Sequence, residues 1–213
     1  MRWSLALRRA LALSFLIAAF ASIGGLGAEA GPNEVAAAPA AMPTGPLVVP
    51  PAGVLGFCVR NRAECQRVAQ QPAAVQLSPD RRTELQEVQS LVNSRVRPRE
   101  NPRHAWEYAS SGYGDCNTYA LEKRRELLAR GWPATALLLA SAVTETGEGH
   151  LVLIARTSAG DLVLDNRVPD VVDWTRLPYR WVSRQSEQRL TIWVSIGQRP
   201  VYTSASTTEK VGG

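Results

Sequence analysis

Histidine and cysteine are scarce in this chain, with two and three copies in 213 residues, and no pair of cysteines stands as C-x-x-C. That poverty excludes a crowded zinc centre. There is no G-x-x-x-x-G-K-[ST] loop and no G-x-S-x-G turn, so P-loop nucleotide hydrolysis and elbow-type serine hydrolysis are excluded as well. Charge of one sign is not strongly in excess: 24 Lys and Arg stand against 19 Asp and Glu, a formal net charge of +5. Those charges are scattered and argue for no nucleic-acid partner. What is present is enough for a fold. With 45% hydrophobic and 20% charged residues, the chain can bury a core and is not broadly disordered, and its length fits one domain.

A long uncharged apolar run occurs at the amino end. Arg2, Arg8 and Arg9 precede it, it extends from Ala10 to Ala28 with its most apolar part at Leu11–Ile23, and Ala28-Glu29-Ala30 follows. Positive start, apolar run and small-x-small site read as a signal peptide, residues 1–30, cleaved after Ala30. The alternative is a retained membrane anchor, since the run has nearly the length of a span. Gly24, Gly25 and Gly27 favour cleavage. Export would place the mature chain in the periplasm or outside the cell, where disulfides form.

Composition then divides the rest. Residues 31–56 carry six prolines among Ala and Gly and read as a flexible leader. Residues 203–213 are small and polar and read as a flexible tail. Residues 57–202 form the expected domain. Within it Ser78-Pro79-Asp80 is a helix start, Leu85, Val88, Val92 and Val96 follow at helical spacing, and Pro98 stops the run. A second helix is expected from about Cys116 to Arg130, ended by Gly131 and Pro133. Short apolar segments follow at Ala134–Val143, Leu151–Arg156, Leu162–Leu164 and Leu190–Ile196. Helices first and strands after predict an α+β fold with an antiparallel sheet.

The three cysteines then fall into two classes. Six residues separate Cys58 from Cys65, and in an oxidising compartment they read as a local disulfide closing a short loop, contributing on the order of 2 kcal/mol. Cys116 is left over. It is either a buried inert thiol or a nucleophile. Ser111-Gly112-Tyr113-Gly114-Asp115 leads tightly into it, and it opens a helix, where the positive end of the dipole favours a thiolate and backbone N–H groups can hold an oxyanion. Of the two histidines, His104 lies in a polar stretch and reads as a solvated loop residue. His150 follows Gly147-Glu148-Gly149 and opens an apolar strand. The turn Thr157-Ser158-Ala159-Gly160 joins two strands. If Arg156 faces Asp161, Asp165 falls diagonal to His150, within reach of its side chain. Nucleophile, base and orienter then follow in the order Cys116, His150, Asp165. Of the tryptophans that could line a groove, Trp132 is assigned to the core and Trp106 and Trp174 are left open.

At these residues the chain resembles the bacterial transglutaminase-like cysteine proteinases. The resemblance rests on Gly114-Asp115-Cys116 with Tyr119-Ala120-Leu121 and Lys123-Arg124, and on Gly131-Trp132-Pro133, Gly147-Glu148-Gly149-His150 and Leu164-Asp165-Asn166. It extends through Tyr179-Arg180-Trp181-Val182 and Arg184-Gln185-Ser186. It implies a transglutaminase/papain-like core with Cys116, His150 and Asp165 as its triad, a protein substrate at the cell surface or in the envelope, and an inner-membrane regulator. No cofactor is required for the chemistry. By resemblance calcium would be held partly by acids flanking the nucleophile, where this chain has Asp115 but also Asn117 and Thr118. Three functions are consistent with these residues: an exported cysteine endopeptidase, an amidase or transglutaminase-type acyl transferase, and a catalytically silent binding domain of the same fold. Intact-mass analysis of native protein is expected to give a chain beginning at Gly31 with one alkylatable thiol, Cys116, and two more after reduction.

Overall fold

The computed structural model describes residues 41–66 and 70–197. Its frame is a seven-stranded antiparallel sheet in the order β1-β9-β8-β4-β5-β6-β7. The strands are β1 (Leu47–Val48), β4 (Leu137–Val143), β5 (Gly149–Thr157), β6 (Gly160–Leu164), β7 (Val172–Asp173), β8 (Arg180–Ser186) and β9 (Arg189–Ser195). A separate two-stranded parallel pair, β2 (Arg97–Pro98) and β3 (Tyr113–Gly114), leads into the second long helix. Three helices, α1 (Gly53–Arg60), α2 (Pro79–Arg95) and α3 (Cys116–Ala129), complete the expected α+β architecture.

Local chemistry explains the boundaries. Ser78 accepts a hydrogen bond from the Arg81 N–H at 3.2 Å, and Pro79 occupies the first turn, where its missing N–H costs nothing. Leu85, Val88 and Val92 are fully buried on one face of α2. Helix α3 starts where Asp115 accepts from the Thr118 N–H at 3.1 Å. It stops where Gly131 turns into the left-handed region at φ +80°, with the Trp132 N–H closing back on Leu127 O at 3.0 Å.

The sheet buries apolar residues on both faces. One layer packs Leu139, Leu151 and Leu153 with Phe57, Val88 and Leu121 from the helices. The other gathers Met42, Leu138, Ala140, Val152, Ile154 and Val163, flanked by Trp174 and Trp181. Trp132 is in the core as expected, 2% exposed, with its indole N–H donating to Glu84 at 2.8 Å. The β5–β6 hairpin has the expected register, Arg156 opposite Asp161.

The expected leader differs from what is found. From Met42 onward the described part of residues 31–56 is packed. Met42 is 2% exposed and its N–H donates to Asp161 at 2.7 Å. Strand β1 pairs with β9, and α1 begins at Gly53 with Val54 fully buried. The physical reason is spacing: Met42, Val48 and Val54, single apolar residues among prolines, are matched to a core site or a sheet edge, while proline is tolerated on an edge strand. Residues 1–30, the upstream part of the leader and residues 203–213 lie outside the described residues. Strand β8 was also not foreseen, because its buried Ser183, Arg184 and Gln185 are polar. Gln185 accepts the Leu139 N–H and Ser141 Oγ meets Ser183 Oγ at 2.8 Å, so these two side chains find partners across the sheet, while Arg184 donates to Thr44 and to Gln185 O.

Cys58 and Cys65 form the disulfide, with Cα atoms 5.6 Å apart. The loop it closes presents Glu64 to Arg124 of α3 at 3.3 Å, and Glu64 also accepts the Tyr108 hydroxyl. A chain beginning at Phe57 would lack Met42, Val48 and Val54. Burying apolar side chains of this kind contributes roughly 1.5–3 kcal/mol each. Such a chain is expected to melt roughly 10 °C or more below one beginning at Ala41 in a thermal scan.

Candidate functional site

Cys116 is the first residue of α3 and is partly exposed. Its position is set from below. Asp115 Oδ1 caps the helix through the Thr118 N–H, and Asp115 Oδ2 accepts from the Asn117 amide at 3.0 Å. Gly114 has no room for a side chain, since a Cβ there would lie 2.4 Å from Thr118 Cβ. Strand β2 holds this approach in place, with Arg99 N–H donating to Gly114 O at 2.9 Å.

His150, the second residue of β5, is 8% exposed, and Asp165, just past β6, is 1% exposed. His150 Nε2 and Asp165 Oδ1 are 2.8 Å apart. That leaves Nδ1 for the thiol, and Cys116 and His150 share the walls of the same clefts. The hairpin register and the diagonal placement thus bring together the three residues singled out from the sequence. His104 does not join them. It adopts φ +48° in an exposed loop at the rim of the larger cleft.

Asp165 is saturated with donors. Besides His150, Oδ1 accepts the Arg167 N–H at 3.0 Å, and Oδ2 accepts the Tyr179 hydroxyl at 2.6 Å. The Tyr179 ring meets His150 edge-on at 5.6 Å and Trp181 at 5.7 Å, so it walls the imidazole as well as bonding the acid. Tyr179 had no local signal in the sequence beyond its place in a family-like segment. It lies in a loop, and only the folded sheet brings it to Asp165.

Electrostatics follow from these contacts. Burial alone would lower the His150 pKa. The hydrogen bonds to Asp165 and Cys116, and the charges of both, outweigh burial and raise it to about 9. For Asp165 burial acts upward, but the hydrogen bond and charge of His150, with the Tyr179 and Arg167 donors, hold its carboxyl below the usual range. An imidazolium is therefore maintained at neutral pH between an acid and a thiol.

Two clefts meet at this point. The larger, about 980 Å³, is lined by Gly53, Gly56, Arg60, Trp106, Ser141 and Leu151 among others. The smaller, about 440 Å³, is lined by Arg99, Tyr119, Asn166 and Arg167. Cys116, His150, Glu100 and Glu148 belong to both. Trp106 therefore lines the larger cleft while being 3% exposed and packed on Trp193.

The one acid beside the thiol, Asp115, is already engaged by neighbouring donors. Both oxygens of Asp115 are occupied in capping, Asn117 turns its donor toward that carboxylate, and the next side chain is Thr118. Among the described residues no three His, Cys, Asp or Glu side chains cluster as a metal site, and none of their helices is long and apolar enough to cross a membrane.

A family model described as bacterial transglutaminase-like cysteine proteinase BTLCP matches residues 44–200. Among solved structures the chain is similar to Legionella pneumophila LapG in its calcium-bound form, at 21% identity and a TM-score of 0.48, covering 59% of this chain and 76% of that one. It is also similar to LapG treated with EGTA, at 22% identity and a TM-score of 0.47, covering 58% and 72%. No curated protein sequence matches.

With two histidines in the chain, imidazole NMR separates them by the loss of one signal in His150→Ala. His150 is expected to titrate at about 9 and to fall when Cys116 is replaced by Ala. Because its value is raised above the ordinary ~6.5, the stability it contributes is complete below ~6.5 and is lost as pH rises through about 9. Denaturant unfolding from pH 6 to 10, set against His150→Ala, checks that sign.

Proposed function

Because the chain belongs to the bacterial transglutaminase-like cysteine proteinase family, we propose that this cysteine peptidase cleaves peptide bonds through Cys116, with His150 as its acid–base and Asp165 as the residue that orients the imidazole. The observation that carries the reading is His150 held at 2.8 Å by a buried, fully bonded Asp165 beside an unpaired thiol at a helix start.

Cys116 Sγ attacks the carbonyl carbon of the scissile bond as a thiolate paired with the His150 imidazolium. Of the first-turn N–H groups of α3, that of Thr118 is taken by the Asp115 cap, which leaves those of Cys116 and Asn117, without partners inside the helix, to stabilise the developing oxyanion. His150 then gives its proton to the leaving amine. Water, deprotonated by His150, attacks the thioester and releases the acid and the thiol. Asp165 keeps Nε2–H directed away from the thiol throughout, so that Nδ1 carries the proton in play.

The substrate is a protein. Residues 1–30 act as a signal peptide, and the mature enzyme works in the periplasm or outside the cell on an envelope or surface protein. The Cys58–Cys65 bond supports that compartment, since disulfides persist where the medium is oxidising. A silent scaffold would have no use for a buried, fully bonded acid orienting an imidazole beside a free thiol.

Solubilised envelope proteins incubated with the enzyme are expected to yield new N-termini by mass spectrometry. Cys116→Ala should abolish them, and His150→Ala should slow their formation by roughly 10²–10⁴-fold. Wild-type rates should decline as pH rises past about 9, where His150 loses its proton. If Cys116→Ala generated the same termini at the same rate, the assignment of the nucleophile would be wrong.

A further inference from the structure

Lys123 is a charged residue the mechanism leaves unused. It lies on α3 two turns beyond Cys116, is 0% exposed, and its Nζ makes no hydrogen bond. The Tyr119 ring lies 5.9 Å from it, but the Tyr119 hydroxyl is committed to Val96 O at 2.5 Å. Burial lowers the amine to about 7, and the charge of Asp165 is what opposes burial. Its charged neighbours on α3 are committed elsewhere, Glu122 to Arg95 and Arg125, and Arg124 to Glu64.

The turn that carries Asp165 has the complementary defect. Gln89 and Asn93 of α2 each direct their amide N–H₂ at the same two carbonyls, Asp165 O and Val168 O, at 2.7–3.3 Å. A carbonyl cannot donate, so these amides cannot be turned over. Their own oxygens, Gln89 Oε1 and Asn93 Oδ1, are buried without a donor, as is Asn166 Oδ1 in the same turn. Three orphaned acceptors thus lie at one turn, two of them on α2, and α2 packs against α3, which carries the orphaned Lys123 amine, through the Arg95–Glu122 pair. Buried polar groups rarely stay unpaired, and a lysine Nζ keeps at least two N–H donors whether or not it is charged.

We propose that Lys123 is a positioning residue, whose buried amine supplies donors to the amide oxygens of the Asp165–Val168 turn and so fixes Asp165 against His150. The amine acts through α2's amides on the backbone, because the Asp165 carboxylate already has three donors of its own. This rests on the triad assignment, yet its principal readout does not require catalysis.

The test is proton NMR of the downfield N–H in the His150 Nε2–Asp165 hydrogen bond, with kcat and KM on a cleaved peptide, for wild type, Lys123→Met and Lys123→Gln. Methionine matches the length without donors, and glutamine restores donors without charge. Lys123→Met is expected to fold, to shift and broaden that N–H signal, and to lower kcat about tenfold with KM unchanged, while Lys123→Gln recovers both. A folded Lys123→Met with signal and kcat as in wild type overturns the proposal. Should Lys123→Met fail to fold, a wild-type signal in Lys123→Gln supports the donor role, and a lost signal in folded Lys123→Gln overturns it. If Cys116 proves not to be the nucleophile, the NMR signal still decides the role of Lys123.

Discussion

The arrangement depends on one buried negative charge. A carboxylate with 1% of its surface exposed would cost several kcal/mol to desolvate if left alone, and it would regain its proton. Asp165 stays ionised because three donors converge on its carboxylate, an imidazole, a tyrosine hydroxyl and a backbone N–H, while the α2 amides hold its backbone carbonyl. Each comes from a different part of the chain. The requirement to satisfy this one group therefore ties β5, the loop before β8, the turn after β6 and α2 into a single geometry. The imidazole takes its orientation and its raised proton affinity from the same source.

Helix α3 is fixed by an equally indirect route. Glu122, Lys123 and Arg124 are all buried, and three consecutive positions point in different directions around a helix, so α3 is covered on most of its circumference. Arg124 reaches Leu137 O at the head of β4 and Glu64 beside the disulfide. Glu122 accepts the Ala109 N–H and pairs with Arg95 of α2. These bonds hold the helix on all sides, so the thiol at its first residue has a defined height above His150. The Cys58–Cys65 bond fits this role: by closing the loop that presents Glu64, it limits how far that anchor on α3 can drift.

Much of this was legible where side-chain chemistry is local. Ser78-Pro79 announces α2, Gly114-Asp115-Cys116 announces α3, and the glycine-containing turn at 157–160 sets the register that places Asp165 diagonal to His150. Cys58 and Cys65 were readable as a pair once export was inferred. What stayed hidden depends on long-range partners. Met42, Val48 and Val54 are single apolar residues in a proline-rich stretch, and composition averages them away; only a sheet edge and an open core site give them a purpose. Strand β8 hides because Arg184 and Gln185 are buried through bonds to residues far away in sequence. Tyr179 and Lys123 hide for the same reason, since each matters through Asp165 and neither is near it in the chain.

The shape around the thiol narrows the chemistry that the reading can accommodate. Cys116 and His150 stand on the wall common to two clefts, so a bound chain has somewhere to go on either side of the reacting carbonyl. A terminal exopeptidase needs a closed end with a fixed charge to hold a free terminus, whereas here the shared wall carries Glu100 and Glu148, and arginines of both clefts lie beside them. Mixed charge spread along an open groove favours backbone in extended form over a single charged end group. The glycines of α1 that line the larger cleft, Gly53 and Gly56, act in the same direction: Gly53 is required by the Trp106 ring, from which a Cβ would stand 2.2 Å, while the absence of a side chain at Gly56 leaves one wall smooth. The larger cleft thus runs between α1 and the ends of β4 and β5 next to the turn that joins them, a wall that an extended chain can follow past the thiol.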